Sequence, residues 1–252
     1  MTSNFTINHQ LEHRTIRKFK DQTLTADQLQ TLYRVASQTS TSMFMQQASI
    51  MHITDDNLRA KIRQISGQPY VGANGDLFIF IVDLYRNQQI RHHNGFDDGR
   101  LHTTDIFFQG MEDTVLMLQN MAIAAESMGL GVTILGSIND HPAELVKVLQ
   151  LPKLTFPVLG LQVGVPDQKP QLKPRLPLEM MSFENQYATQ VNFEQLAKYD
   201  QIVTNYYDLR DTSKRIDSFT NQIDGQKLAK RSIDRDQIVQ VLHDQELCLD
   251  FK

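Results

Sequence analysis

Two cations stand two positions apart in a proline-rich segment, Leu172-Lys173-Pro174-Arg175-Leu176-Pro177. Proline fixes its own φ and pushes the preceding residue towards extended backbone, so Lys173 and Arg175 should project from a stiff chain on roughly the same side. Near the N-terminus, further cations and a hydroxyl occur together in His13-Arg14-Thr15-Ile16-Arg17. Because guanidinium groups and hydroxyls hold phosphates well, the two clusters predict a site for a phosphorylated cofactor.

Other common sites have little support in the sequence. Neither a Walker motif nor a true G-x-G-x-x-G occurs, since Gly129-Leu130-Gly131 has the wrong spacing and precedes a strand pattern. A possible metal cluster falls in a Gly- and Asn-bearing segment, which predicts a loop without an i, i+4 helical pair: His92, His93, His102, Asp97 and Asp98. We therefore expect no metal site. No nucleophile elbow is present, and Cys248 has only His243 as a nearby base.

The composition excludes several classes of protein. A chain of 252 residues with a net charge of -4 and a pI of about 6.0 favours neither disorder nor a nucleic-acid-binding surface. The single cysteine, Cys248, cannot form an intramolecular disulfide, and the first five residues lack the apolar run of a secretory signal, so we expect a cytoplasmic protein. Charged and amide residues interrupt the apolar region from Ile106 to Leu130, which favours a buried central helix over a membrane span.

Hydrophobic periodicity gives the order of the elements. Thr25-Ala26-Asp27-Gln28 is a capping-box pattern that begins a helix ending near Ser37. A long helix is predicted from Thr104 to Met128, with Gly129 as its stop, and Pro142 begins another helix that ends near Pro152. A further helix covers about 56–65, and four short apolar runs predict strands at 49–53, 77–82, 132–135 and 156–163. Helices and strands therefore mix without a strict βαβ repeat.

The last third of the chain has a different pattern. Residues 166–190 are rich in proline and polar residues, which predicts a long extended excursion. Three charged helical patterns with modest apolar faces follow at 193–209, 217–230 and 234–246. We therefore divide the chain into a core of residues 1–190 and a C-terminal helical extension of residues 191–252 that belongs to the same structural unit.

Three motifs, in order, resemble those of one family. His13-Arg14-Thr15-Ile16-Arg17-Lys18-Phe19 resembles the H-R-(S/T)-x-R-x-(F/Y) opening of the nitroreductase-like flavoproteins. Residues 124–131, AAESMGLG, are similar to the segment that joins the family's long helix to its central strand, and residues 172–177 resemble the distal signature of the NADPH-dependent, oxygen-insensitive branch of Frp type. The resemblance covers about residues 8–215. It implies an α+β nitroreductase-like fold, with a mostly antiparallel sheet, a long buried core helix and a C-terminal helical extension.

The resemblance also assigns roles to residues. It implies that FMN is held by His13, Arg14, Thr15, Arg17, Ser40, Thr41, Ser42, Gln68, Ile134, Leu135, Gly136, Ser137, Lys173 and Arg175. The backbone of 134–137 would approach flavin N5 and O4, where a small Gly136 lets the main chain come close. NADPH would contact Arg210, Lys214 and Arg215, and Phe44 is a candidate substrate contact. Two departures are Ser137, where a second glycine is usual, and Asn139, where an arginine is common, so the choice between NADPH and NADH stays open.

The implied activity needs no acid, base or nucleophile from the protein, because hydride transfer belongs to the flavin. We expect NAD(P)H to reduce FMN and leave, after which a quinone, nitroaromatic or free flavin takes its place in a ping-pong exchange. The resemblance further implies a homodimer with FMN at the subunit interface, the hydroxyl turn Ser40–Ser42 facing the partner. An alternative is a flavin- or nucleotide-binding sensor or carrier that does not turn over.

Overall fold

The computed structural model describes residues 2–210, 217–225, 228–229 and 233–251. It contains a four-stranded sheet in the order β1-β2-β4-β3, with every neighbouring pair antiparallel. The strands are β1 (Ala48–Ile53), β2 (Asp76–Asp83), β3 (Gly131–Leu135) and β4 (Thr155–Gly164). All four predicted strands are confirmed, each extended by one or two residues. β1 and β3 are the edges of this sheet.

Strand β2 is apolar without alternation because both faces of the sheet are covered. Residues Leu77, Phe78, Ile79 and Phe80 are fully buried. Phe78 and Phe80 pack with residues of the long central helix, whereas Leu77 and Ile79 pack on the opposite face with Ile62 and Leu145. β4 contains an irregularity, since Phe80 is opposite Leu159 but Ile81 is opposite Pro157. Val158 is therefore the extra residue of a β-bulge.

The central helix α5 (Thr104–Ser127) follows the predicted bounds closely. Its first N–H is capped from far along the chain, because the carboxylate of Asp250 accepts hydrogen bonds from the Thr104 N–H and hydroxyl, both at 2.6 Å. Gly129, with φ of +77°, ends the helical path as predicted. Burial is one-sided: a second face leaves three large apolar side chains 41–52% exposed, namely Phe108, Val115 and Leu116.

The remaining helices of the first unit are α1 (Phe5–Leu11), α2 (Ala26–Ser37), α3 (Asp56–Ser66), α4 (Tyr85–His93), α6 (Pro142–Val148) and α9 (Ile238–Asp244). The capping box at Thr25 is present. The loop predicted around His92 and His93 is wrong, since both residues end α4. α4 has no clear apolar stripe, which is why its sequence pattern did not predict it; α1, which buries no residue, was missed for the same reason. α6 ends at Val148, earlier than expected.

The chain forms two compact units, Met1–Lys169 with Ile233–Lys252, and Pro170–Ser232. These bounds differ from the predicted division at residue 190. The second unit contains α7 (Phe193–Arg210) and α8 (Phe219–Ile223), packed through Leu196, Tyr199 and Val203. The helix predicted over 217–230 ends at Ile223, because the turn-forming pair Asp224-Gly225 follows it. In the part of the chain described, no helix is long and apolar enough to cross a membrane.

Candidate functional site

The N-terminal cationic segment runs along the exposed edge of β3. Thr15 forms a parallel bridge with Val132, and the Ile16 N–H donates to the Val132 carbonyl at 2.8 Å. This close approach requires a glycine at position 131, because a Cβ there would lie 2.7 Å from the Ile16 side chain. Beyond Arg17 the chain meets the residues that follow β4, where Phe19 bridges Pro166 and the Lys20 N–H donates to the Val165 carbonyl at 2.9 Å.

The charges of this segment are unequally neutralised. His13 Nδ1 lies 2.6 Å from the carboxylate of Glu126, which is only 11% exposed. Arg14 instead donates to the Glu12 carbonyl at 2.7 Å, and the Arg17 guanidinium lies over the Tyr70 ring at 5.9 Å. Neither arginine forms an ion pair with a carboxylate of the described residues. The β3 edge therefore presents two cations whose charge is available to an anion.

Gln68 begins a loop that is held from two sides. The side chain of Gln162, fully buried, accepts from the Gly72 N–H at 2.9 Å and donates to the carbonyls of Tyr70 and Asn74 at 3.1 and 2.6 Å. From α3, two guanidinium groups donate to carbonyls of the same loop, namely Arg59 to Gly72 and Gly75, and Arg63 to Val71 and Gly72. The loop is thus a rigid support for Gln68 and for Tyr70 beneath Arg17.

The backbone that leaves β3 forms a 3-10 turn, Ser137–Asn139, directly after Gly136. Among the described residues, a Cβ added at Gly136 would meet only Arg235 Nη2, at 3.8 Å, so this turn has an open side. Arg235 also pairs with Asp140, Nη1 to Oδ1 at 3.4 Å. Arg235 could not be predicted from the sequence, because a lone arginine in a charged segment about a hundred positions away has no motif around it.

The predicted hydroxyl turn lies elsewhere in the first unit. Ser42 precedes β1, the opposite edge of the sheet, and is fixed to α5: its N–H donates to Asp113 at 2.8 Å and its hydroxyl to Gln109 at 3.0 Å. Because neighbouring strands are about 4.8 Å apart, the two edge strands are separated by roughly 14 Å. Ser40, Thr41 and Ser42 are therefore not gathered with the β3-edge cations along the same edge.

The residues after this turn have strained backbone. Met43, Phe44 and Gln46 have φ values of +49°, +60° and +51°, a region that residues other than glycine rarely adopt. Phe44 is 82% exposed. A cleft of about 780 Å³ lies beside them, with Thr41, Phe44, Met43, Met45, Arg86 and Ile106 among its lining residues. Met43 and Met45, which the sequence left unassigned, thus share this cleft with Phe44.

Lys173 and Arg175 belong to the second unit. Both line a cleft of about 420 Å³ with aromatic residues, including Tyr199, Tyr207 and Phe219. Burial raises the pKa of Tyr199, and the nearby Arg175 guanidinium opposes that shift. The prediction that Lys173 and Arg175 meet the N-terminal cations stays a prediction.

The predicted nucleotide residues lie largely beyond what the structure describes. Arg210 ends α7, but its side chain, Lys214 and Arg215 fall outside the described residues. Among the residues that are described, no group of three His, Cys, Asp or Glu side chains is arranged to hold a metal ion.

The four-stranded antiparallel sheet with its long central helix has the nitroreductase-like fold, which it shares with solved nitroreductases. Family models match almost the whole chain: the nitroreductase family over residues 11–165 and the nitroreductase family, C-terminal domain, over residues 173–250. The chain therefore belongs to the nitroreductase family, and it is an enzyme. The family and the fold class predicted from the three motifs are both confirmed.

Relatives and solved structures agree with this assignment. An NADPH-dependent oxidoreductase of Staphylococcus aureus (strain bovine RF122 / ET3-1) is 36% identical over 227 residues, which cover 88% of this chain and 90% of the relative. The NfrA1 nitroreductase from B. subtilis has a TM-score of 0.89 at 35% identity, covering 96% and 99% of the two chains. The NADPH:FMN oxidoreductase from Vibrio harveyi complexed with NAD+ has a TM-score of 0.87 at 33% identity, covering 98% and 100%.

Proposed function

We propose that this enzyme binds FMN and passes hydride from NAD(P)H to a small-molecule acceptor, namely a quinone, a nitroaromatic or free flavin, in a ping-pong exchange. The observation that carries the proposal is the β3 edge, where Arg14 and Arg17 have no acidic partner among the described residues and stand in a segment bonded to the strand that leads into the open Gly136 turn. The NADPH:FMN oxidoreductase from Vibrio harveyi, similar over 98% of this chain, supports the same cofactor pair.

The residues present fit FMN. A flavin mononucleotide has a phosphate dianion, which suits the guanidinium groups of Arg14 and Arg17 and the hydroxyl of Thr15. Its planar ring needs main-chain donors at close range, and the turn at Gly136 has space on one side. His13 and Gln68 supply further polar groups, and the resemblance separately implies Lys173 and Arg175 as contacts. Charge-assisted hydrogen bonds of about 1.5–3 kcal/mol each retain such a cofactor without a covalent link.

When bound, the flavin supplies the hydride acceptance and donation, so the chain needs no nucleophile. The task of the chain is to hold and orient. Glu126 fixes His13 so that its Nε2 is turned outward, because Nδ1 is engaged at 2.6 Å. With flavin bound, the N–H groups of residues 136 and 137 would face the ring atoms where negative charge develops, and such preorganised donors cost no reorganisation.

For the nicotinamide nucleotide, we propose Arg235 as a cationic contact, whereas Arg210, Lys214 and Arg215 are contacts that the resemblance alone implies. Arg235 is supported by its position 3.8 Å from the Gly136 face. Its ion pair with Asp140 is only partly shielded, both side chains being about 42–43% exposed, so the guanidinium keeps donors for a phosphate. Relatives described as NADPH-dependent support NADPH over NADH as the preferred donor.

We also propose a homodimer. The turn Ser40–Ser42 and the β3-edge cations stand at opposite edges of one sheet, so a single site that uses both sets draws them from two copies. The exposed apolar face of α5, with Phe108, Val115 and Leu116, supports burial against a second copy. Sedimentation as a monomer at micromolar concentration would rule out this arrangement.

An anaerobic titration tests the function. The purified protein, loaded with FMN, is mixed with one equivalent of NADPH, and the flavin absorbance should bleach and return when menadione is added. Initial rates over both substrates should give parallel double-reciprocal lines. A carrier without turnover would consume NADPH only in proportion to protein, and a colourless protein that takes up no FMN would exclude the proposal.

A further inference from the structure

Asn139, the last residue of the turn after Gly136, points into the protein. The side chain is 3% exposed, and Nδ2 donates to the carbonyl oxygens of Pro157 and Val158, both at 2.9 Å. Two acceptors at one end of an amide determine that this end is the NH2 group. Oδ1 is buried and has no hydrogen-bond partner among the described atoms. The Asn139 side chain therefore binds to β4 and does not face the open side of the turn.

The two carbonyls that Asn139 binds lie at the irregularity of β4. Val158 is skipped in the pairing with β2, and a bulge leaves ladder groups of the extra residue without their regular partners. Next to it, a Cβ on Gly160 would lie 3.2 Å from Leu135 Cβ and 3.4 Å from Ile138, so the turn packs tightly on β4. The Asn139 amide therefore provides a hydrogen-bond donor for both carbonyls at the bulge and connects the turn to β4.

This connection reaches the backbone donors of the turn. The Asn139 N–H donates to the Gly136 carbonyl at 3.2 Å, and the Asp140 N–H donates to the Ser137 carbonyl at 3.1 Å. A tilt of Asn139 would therefore rotate the peptide between Gly136 and Ser137. We propose that Asn139 is a positioning residue that holds the N–H groups of Gly136 and Ser137 in the orientation that favours reduced flavin. This rests on the proposed function, because it is the flavin that these donors serve.

The chain offers a matched control for this role. Gln245 is 6% exposed, and its Nε2 also bridges two carbonyls, those of Pro152 at 2.8 Å and Thr155 at 3.0 Å, at the start of β4 and before the bulge. Asn139→Leu and Gln245→Leu each remove a buried amide that joins two carbonyls, so both should lower thermal stability to a similar degree. Only the first should alter the turn.

The test compares the midpoint potential of bound FMN in the two variants. Asn139→Leu should weaken binding of reduced relative to oxidised flavin about tenfold, which lowers the two-electron potential by about 30 mV. Gln245→Leu should leave it unchanged. Asn139→Ser, which keeps one donor, should fall between the wild type and the leucine variant and serves if the leucine variant does not fold. An unchanged potential in all three variants would overturn the proposal.

A second measurement does not depend on bound flavin. In the apoprotein, the ¹H–¹⁵N resonances of Gly136 and Ser137 should move in Asn139→Leu and stay in place in Gln245→Leu. If the wild type binds no FMN at all, the proposed function fails, and these resonances still decide whether Asn139 positions the turn. Equal shifts in both variants would reduce Asn139 to a structural residue.

Discussion

The two edges of the sheet differ in how firmly the neighbouring residues are held. Along β3, backbone pairing, the glycine contact with Ile16 and the buried Gln162 hold the candidate cofactor residues in fixed positions. Before β1, Phe44 is exposed and lies in a stretch of left-handed residues beside an open cleft. A rigid edge suits a cofactor of constant shape, and an exposed, strained edge suits acceptors of several shapes.

The largest effect is expected from a substitution that disrupts the rigid edge along β3. Gln162→Leu removes three hydrogen bonds and leaves the Gly72 N–H and the carbonyls of Tyr70 and Asn74 without that partner. We expect a loss of about 2–4 kcal/mol in the free energy of unfolding, since buried unpaired groups cost about 1–3 kcal/mol each. FMN affinity should fall as well, because the loop carries Gln68. Thermal denaturation and fluorescence titration with FMN measure both quantities.

Gln88→Leu is the matched control for this variant. Gln88, on α4, is also a buried amide, 5% exposed, and it donates to the Asp97 carboxylate at 2.8 Å. Its loss should destabilise the protein and leave the FMN dissociation constant within about twofold. Equal loss of FMN affinity in both variants would contradict the division into a rigid cofactor edge and a separate second edge.

A smaller effect is expected from the unpaired cations. Arg17→Ala should raise the FMN dissociation constant about 10- to 100-fold, since a charge-assisted hydrogen bond contributes about 1.5–3 kcal/mol. Its neighbour Lys18 provides the control, because Lys18 is 70% exposed and already paired with Asp167 at 3.0 Å. Lys18→Ala should change FMN affinity less than twofold. If both variants lose affinity equally, general positive charge and not the position of Arg17 accounts for binding.

Local motifs predicted the fold well, because strand, cap and stop signals lie within a few residues of what they determine. Thr25 with Gln28 and the stop at Gly129 are examples. What the sequence could not predict arises from distant residues. Arg235 lies beside Gly136 although about a hundred positions separate them in the sequence. The Asn139 side chain binds β4 at a bulge at Val158, and no sequence motif predicts that bulge. The predicted N-terminal contacts His13, Arg14, Thr15 and Arg17 could be proposed as a group because they share one short segment.

Phe44, two residues beyond the proposed FMN contact Ser42, should affect the acceptor and not the cofactor. Phe44→Ala should raise KM for nitroaromatic and quinone acceptors several-fold, because the ring lines the cleft, and should leave FMN affinity unchanged. Phe44→Tyr keeps the ring and should keep KM. Steady-state kinetics with two acceptors of different size measure this effect. A fall in FMN affinity with unchanged acceptor KM would assign Phe44 to the cofactor side instead.

The smallest expected effect is a loss of stability at low pH, confined to the loop that follows α4 and contains Asp97 and Gly99. The hydrogen bond from His92, together with the Gly99 N–H, lowers the pKa of Asp97 from 3.8 to about 2. A carboxyl whose pKa is depressed on folding stabilises the fold above its unfolded value, and this contribution is lost as pH falls from about 4 towards 2. The Gly99 amide resonance should therefore titrate with a midpoint near 2, and Asp97→Asn should abolish the transition. Over the same range the amide of Ile16, bonded to the Val132 carbonyl on the β3 edge, should not follow this midpoint. A shared transition at both amides would show that the two edges unfold as one.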